Sequence, residues 1–268
     1  MSIEVGANHT SSPQTSIQRV AVIGSGVMGA GIAAHCANAG CEVLLLDIVP
    51  KDTDDRSIIA KGAIERMAKS NPEMLMHKSN AGKVTPGNIE DDLPKLKEVD
   101  WVIEVVIENL DIKRKLYDSI AEHLGHRTIL SSNTSTLPRS ELAHGMPHDI
   151  ASRFLITHFF NPPRYMPLLE VVAGGEVETS VIERFCDFAN ERLGKRVTMC
   201  NDTPGFIGNR LGVFFGQRAF KATLEHGFTV EQADAMTGRP IGLPKTAVFG
   251  LMDLVGVDLV PHLSLIHI

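Results

Sequence analysis

The sequence predicts an α/β fold, a doubly wound and mainly parallel sheet, followed by an all-α part. Three observations carry this. Residues 20–23, Val-Ala-Val-Ile, form a short apolar run closed by Gly24, the pattern of a strand buried on both faces of a parallel sheet. Strand-like and helix-like stretches then alternate to about residue 200. Beyond Asn201 the chain turns mainly helical and rich in Gly and Phe, which places a domain boundary near 200.

After the first strand, residues 27–38 are small or apolar, with Met28, Ile32, Cys36 and Ala39 at helical spacing and Gly40 at the position that closes a helix. Residues 43–47 form the next strand and complete a strand–helix–strand unit. Residues 51–92 read as a helical excursion: Ile58, Ile59, Ala63 and Met67 share one face, while Lys61, Arg66 and Lys69 lie elsewhere on it. Alternation resumes with a strand at 101–106, an amphipathic helix at about 111–124 and a strand at 128–130. Strand-like runs at 154–160 and 168–172 flank the turn Asn161-Pro162-Pro163-Arg164, and a helix near 180–193 with a strand at 197–200 finishes this part. Asp202-Thr203-Pro204 reads as the cap and first position of the helix that opens the second part.

Composition narrows the function. With 268 residues, 43% hydrophobic and 22% charged, the chain has material for about two domains and is neither disordered nor fibrous. Twenty-six Lys and Arg against 32 Asp and Glu give a net charge of −6, with no long basic run and 5% aromatics, which argues against nucleic-acid binding. No apolar run approaches the roughly 20 residues of a membrane span. Four cysteines, Cys36, Cys41, Cys186 and Cys200, contain no C-x-x-C pair and sit among apolar neighbours, as reduced thiols of a cytoplasmic protein would. Residues 1–18, without Lys, Arg or an apolar block, read as a disordered polar leader.

Gly24-Ser25-Gly26-Val27-Met28-Gly29 is a G-x-G-x-x-G motif in the required context, after a strand and at the start of a helix, with Asp47 ending the next strand about 20 residues on. Gly24 allows the tight turn, Gly26 lets the backbone approach a pyrophosphate and Gly29 permits close helix–strand packing. This is the Rossmann-type dinucleotide fingerprint. Asp47 is placed to accept ribose hydroxyls and would repel a 2′-phosphate, and no Arg follows until Arg56, so the expected cofactor is NAD, held by Gly24, Gly26, Val27, Met28, Gly29 and Asp47. No metal is expected.

Five blocks carry a resemblance: residues 23–33, Glu108-Asn109-Leu110, Ser132-Asn133-Thr134-Ser135, His158-Phe159-Phe160-Asn161-Pro162, and Asp202-Thr203-Pro204-Gly205-Phe206-Ile207 with Asn209-Arg210. In this order, over about 19–262, they resemble the 3-hydroxyacyl-CoA dehydrogenases. The stretch 61–88, from Lys61-Gly62-Ala63-Ile64-Glu65 through Thr85-Pro86-Gly87-Asn88, resembles particularly the long bacterial members, which also carry an enoyl-CoA hydratase module. The resemblance implies NAD-dependent oxidation of 3-hydroxyacyl-CoA to 3-oxoacyl-CoA in fatty-acid β-oxidation, with an acyl-CoA partner.

By that resemblance His158 is the base, a role histidine suits because both protonation states of an imidazole are within reach near neutral pH, and Glu170 orients its ring. Ser135 and Asn209 contact the reacting oxygen. Glu108, Lys113, Asn133, Ser135 and Asn161 serve the nicotinamide-ribose side, and Ser135, Lys113, Lys69 and Asn209 serve the substrate. Taken alone, Ser135 also reads as a turn residue, Asn209 as a polar helix residue, and Glu108 with Lys113 as a solvated helix-end pair. Lys61, Arg66, Lys69, Lys78 and Lys83 read either as holders of CoA phosphates or as a solvated face.

The family's helical domain forms homodimers, and the chain stops soon after Asp258, where the resemblance leads one to expect further helices. The all-α domain, 201–262, is therefore expected to be incomplete, leaving Phe214, Phe215, Leu251 and Leu254 without partners. Residues 263–268 resemble the translation of a sequencing-library adaptor and are read as a non-native tail. Two other readings stand beside the first: a non-catalytic, crystallin-like NAD-binding relative, and a dehydrogenase of a small 3-hydroxy acid without CoA.

Overall fold

The structure is a computed structural model and describes residues 17–51 and 53–255, with the side chain of Val255 left aside. The remainder of the leader, residues 1–16, and the suspected tail lie outside the described residues. The described chain falls into two compact units, 17–134 with 139–199, and 135–138 with 200–255.

In the first unit the elements are β1 (Arg19–Ile23), α1 (Val27–Asn38), β2 (Glu42–Asp47), α2 (Ile58–Met67), β3 (Val84–Asn88), β4 (Trp101–Glu104), α3 (Leu110–Ala121), β5 (Ile129–Ser132), α4 (Arg139–Ala143), α5 (His148–Ala151), β6 (Phe154–Phe159), β7 (Leu168–Ala173), α6 (Thr179–Asp187) and β8 (Arg196–Met199). The eight strands described form one sheet in the order β3-β2-β1-β4-β5-β6-β7-β8. All neighbours are parallel except β6 and β7. Strand order reverses between β1 and β4, the switch point of a doubly wound sheet, where ligands sit at the carboxyl ends of strands.

The core explains the apolar runs. Val20, Ala21, Val22, Leu45, Val102 and Ile103 are fully buried, because helices cover both faces of the central strands. Trp101 anchors the centre: its ring stacks near Phe159 at 6.3 Å and meets the edges of Phe185 and Phe188 at 5.1 and 6.0 Å. Its indole N–H donates to Ser131 Oγ at 2.8 Å, so the polar end is satisfied as well. Helix α1 is buried on most of its surface and correspondingly small-residued. A Cβ at Gly29 would stand 1.8 Å from the Gly24 carbonyl oxygen, so no larger residue lets this helix lie so close to β1.

Three local readings change. The excursion at 51–92 is not helical throughout: α2 covers only its first part, and β3 adds a parallel strand beside β2, Val84 opposite Val43 and Asn88 opposite Asp47. Pro86 and Gly87 disguise it, and a proline is tolerated because β3 is the sheet edge. Ile17 and Gln18 are not loose: Ile17 is fully buried, and Gln18 donates its backbone N–H to Asp100. Helix formation does not begin at Pro204, since Gly205 (φ 73°) and Phe206 (φ 45°) adopt left-handed backbone, and the helix starts only at Gly208.

The second unit holds α7 (Gly208–Glu225), α8 (Val230–Thr237) and α9 (Phe249–Val255). Thr229 and Gln232 form a capping box at the start of α8. The Asp234 carboxylate accepts the backbone N–H groups of Phe249 and Gly250 at 2.8 and 3.0 Å, binding the first turn of α9 to α8. Phe220 and Phe249 meet edge to face at 4.6 Å. Phe214, Phe215, Leu251 and Leu254 are exposed.

Candidate active site

The glycine turn follows β1 at the switch point. Gly24 has φ +104°, and a Cβ there would lie 2.5 Å from the Val105 carbonyl oxygen, so the turn needs glycine twice over. Gly26 is different: a Cβ would meet nothing within 4 Å. Glycine there leaves open space against the first N–H groups of α1, the place where a helix N-terminus receives a diphosphate. Asp47, at the end of β2, accepts the backbone N–H and the hydroxyl of Ser25 at 2.6 and 2.5 Å on one oxygen and the N–H of Ile48 at 2.7 Å on the other. Ser25, unremarked in the sequence, thus ties the turn to the carboxylate that ends β2. These residues fit a dinucleotide.

Beside the turn opens a groove of about 730 Å³, walled by Gly26, Val27 and Ala30 from one side and Glu65, Arg66 and Lys69 from the other. Lys69 therefore lines the same groove as the glycine turn. Lys61 does not: it pairs with Asp55 at 2.8 Å.

A buried network lies at the end of β4, and only part of it was foreseen. Glu104, fully buried, accepts from Lys113 Nζ at 2.6 Å, the Tyr117 hydroxyl at 2.7 Å, the Ser132 hydroxyl at 2.7 Å and the Val106 N–H at 2.8 Å. Lys113 is 1% exposed and also meets Glu108 at 3.3 Å, which corrects the solvated helix-end reading of that pair. Burial and the charge on Glu104 push the Tyr117 phenol well above its ordinary pKa. Glu108 in turn accepts from the Thr134 hydroxyl. The missed signal was the i,i+4 pair Lys113 and Tyr117, which places two long polar side chains on the one face of α3 turned to a strand ending in glutamate.

His158 is the penultimate residue of β6, and β6 runs parallel to β5, so its carboxyl end lies on the same sheet edge as the glycine turn, Asp47 and Glu104. Glu170 on antiparallel β7 stands directly opposite. The two side chains are 7% and 0% exposed, with Nδ1 2.8 Å from Oε2. A proton on Nδ1 satisfies the carboxylate and leaves Nε2 as the acceptor, a tautomer inferred from this hydrogen bond. Phe160 lies against the imidazole at 4.6 Å between ring centroids. Asn133 accepts the backbone N–H of Phe159 at 3.0 Å, joining the end of β5 to the residue beside His158. Asn161 follows in the exposed loop after β6.

The first unit thus contains the glycine turn with Val27 and Met28, Asp47, Lys69, Glu108, Lys113, Asn133, His158, Asn161 and Glu170. Ser135 and Asn209 belong to the second: Ser135 in the short segment 135–138, Asn209 in the first turn of α7. Among the described residues no three His, Cys, Asp or Glu side chains gather as metal ligands, and no helix is long and apolar enough to cross a membrane.

Residues 19–203 match the model of the 3-hydroxyacyl-CoA dehydrogenase NAD binding domain, and residues 205–266 that of the C-terminal domain of the same enzymes. A Deinococcus radiodurans protein named for 3-hydroxyacyl-CoA dehydrogenase is 44% identical over 248 residues, 92% of this chain and 72% of that one. A Rickettsia felis protein named for a fatty acid oxidation complex trifunctional enzyme is 45% identical over 94% of this chain, which spans only 35% of that protein's length. Among solved structures, M. tuberculosis FadB2 superposes with a TM-score of 0.81 at 29% identity, covering 93% of this chain and 86% of that one. Sequence blocks, sheet order and glycine turn agree, and the chain belongs to the 3-hydroxyacyl-CoA dehydrogenase family, with residues 19–203 forming the family's NAD-binding domain.

Proposed function

We propose that the chain oxidises a 3-hydroxyacyl-CoA to the 3-oxoacyl-CoA in fatty-acid oxidation. The observation that carries this is the His158–Glu170 pair, 2.8 Å apart on the sheet edge that also bears the glycine turn. NAD, when bound, supplies the acceptor for the hydride that leaves C3 of the substrate. The protein's part is the proton. His158 Nε2 takes it from the C3 hydroxyl as the carbonyl forms, and Glu170 holds Nδ1–H, fixing the tautomer and stabilising the imidazolium. Ser135 and Asn209 are assigned as hydrogen-bond partners of the reacting oxygen, which holds the alcohol in a reactive pose.

Gly24, Gly26, Val27, Met28 and Gly29 are assigned to the diphosphate and Asp47 to the ribose hydroxyls. Glu108, Lys113, Asn133, Ser135 and Asn161 are assigned to the nicotinamide-ribose side. Lys69, which lines the groove, is assigned to the CoA, and Ser135, Lys113 and Asn209 to the substrate. The enzyme is taken to work in the cytoplasm, to bind no nucleic acid and to pair with a second copy through its helical part. The deciding experiment follows NADH oxidation with acetoacetyl-CoA by the parent and by His158→Gln. Turnover abolished by the substitution establishes reaction class and base together. NADH binding without turnover by a full-length version would favour the non-catalytic relative, and equal rates with acetoacetate and its CoA ester would favour the small-acid dehydrogenase.

A further inference from the structure

The loop between β6 and β7 joins the two strands that bear His158 and Glu170, and its sequence denies it ordinary support. Pro162, Pro163 and Pro167 have no backbone N–H, so carbonyls outnumber donors between Asn161 and Pro167. The donors come from elsewhere. Lys195, beside Gly194 at the entry to β8, is 5% exposed, and its Nζ donates to the carbonyls of Pro163 and, at 2.7 Å, Met166. The same ammonium stands 5.4 Å from the centroid of the Phe159 ring, next in sequence to His158. Among the described residues no carboxylate forms an ion pair with it; its charged or titratable neighbours are His35 and Cys36 on α1. Burial lowers its pKa to about 8.

A buried cation facing two carbonyls and a ring is an unusual choice for mere filling, since an unbranched apolar side chain of like length would occupy the space without desolvating a charge. The loop it grips also packs against α1 and the segment at 73–75. Pro163 rests against α1 so closely that a Cβ at Gly31 would lie 2.9 Å from its ring. Arg164 donates to the carbonyls of Glu73 and Leu75 at 2.7 and 3.0 Å, and the Tyr165 hydroxyl donates to that of Glu73 at 2.9 Å, on either side of Met74, which lines the groove.

We propose that Lys195 is a positioning residue for the reaction: by holding the carbonyls of Pro163 and Met166 it fixes the loop that sets His158 against Glu170 and carries Asn161. The inference rests on reading His158 and Glu170 as the base and its orienter. It acts through the loop and touches no substrate.

The test compares the parent with Lys195→Met and Lys195→Arg in acetoacetyl-CoA reduction, with amide hydrogen exchange of the Tyr165 and Met166 N–H groups, which donate to the Pro162 carbonyl. In Lys195→Met, kcat falls about tenfold or more, as a misplaced catalytic group would produce. The preference for NADH over NADPH stays within about twofold of the parent's, because the glycine turn and Asp47 keep their own supports. Loop amides exchange faster while those of β1 and β4 keep the parent's protection. Lys195→Arg, which keeps charged donors, retains more of kcat than Met does. Should Lys195→Met fail to fold, Arg164→Met frees the same loop from its other side and is expected to lower kcat in the same sense. Parent-like kcat in a folded Lys195→Met would overturn the proposal, as would a loss of kcat with unchanged loop exchange. A parent that never turns over, with loop exchange still released by Lys195→Met, would instead sink the dehydrogenase reading and leave only a structural clamp.

Discussion

His158 and Glu170 are direct cross-strand partners, the only antiparallel neighbours in the described sheet supplying both members of the pair. The strand ladder sets the backbone spacing of the pair, and the loop that joins β6 to β7 holds the ends of both strands. Glu170→Gln keeps the size and the ladder but removes the charge assigned above to stabilising the imidazolium. The expected outcome is a loss in kcat of about 10²-fold or more with the circular dichroism spectrum unchanged. A variant with parent-like kcat would show that Glu170 does not serve the base.

Asp47, assigned above to the ribose hydroxyls, already accepts two hydrogen bonds from Ser25 on one oxygen. Asp47→Ala removes the charged acceptor and loosens the turn together, and is expected to weaken NADH binding by roughly 10- to 100-fold. It should also narrow the preference over NADPH, whose 2′-phosphate is no longer repelled. Ser25→Ala removes only the hydroxyl bond and should weaken NADH binding without changing that preference. Fluorescence titration with both cofactors separates the two effects.

Glu104 and Lys113 form an ion pair with almost no solvent access, 2.6 Å apart. Breaking such a pair from one side strands the other charge, so Lys113→Met alone is expected to destabilise by about 3–5 kcal/mol. The double variant Glu104→Gln with Lys113→Met removes both charges and should recover a measurable part of that loss. Urea denaturation of the two singles and the double gives the coupling directly, and strict additivity would mean the contact contributes nothing.

Which of these features could be read from residues alone follows from the kind of contact each makes. The first strand, glycine turn, helix α1 and Asp47 are local, and their apolar runs and glycine spacing reflect burial and backbone demands within about 30 residues. Strand β3 was hidden because Val84-Thr85-Pro86-Gly87-Asn88 has neither alternation nor an unbroken apolar run; as an edge strand covered by α2 it requires neither. Lys113 misled for another reason: a charged residue near a helix start is usually solvated, and only the fold brings β4's terminal glutamate beneath it. The opposition of His158 and Glu170 depends on a register that a proline-rich loop does not announce, and its recognition came from the family blocks rather than from spacing.

The acid side of the stability profile has a specific expected origin in His35. Its Nε2–H donates to the Leu193 carbonyl at 2.9 Å, while Nδ1 is buried without a partner. Burial, then the nearby Lys195 ammonium and Arg164, lower its pKa from 6.5 to about 4. A depressed histidine is neutral in the fold while the unfolded chain would take up a proton, so between pH 6.5 and 4 the unfolded state binds more protons and stability falls as pH falls. The contribution is fully present above about 6.5 and is lost by about 4, an effect of roughly 2–3 kcal/mol for a largely buried ring. His35→Gln can still donate to Leu193 and has no proton to gain, so its urea midpoint should vary less than the parent's across this window. A parent and variant with parallel profiles from pH 6.5 to 4 would show that other groups, not His35, set the acid limb.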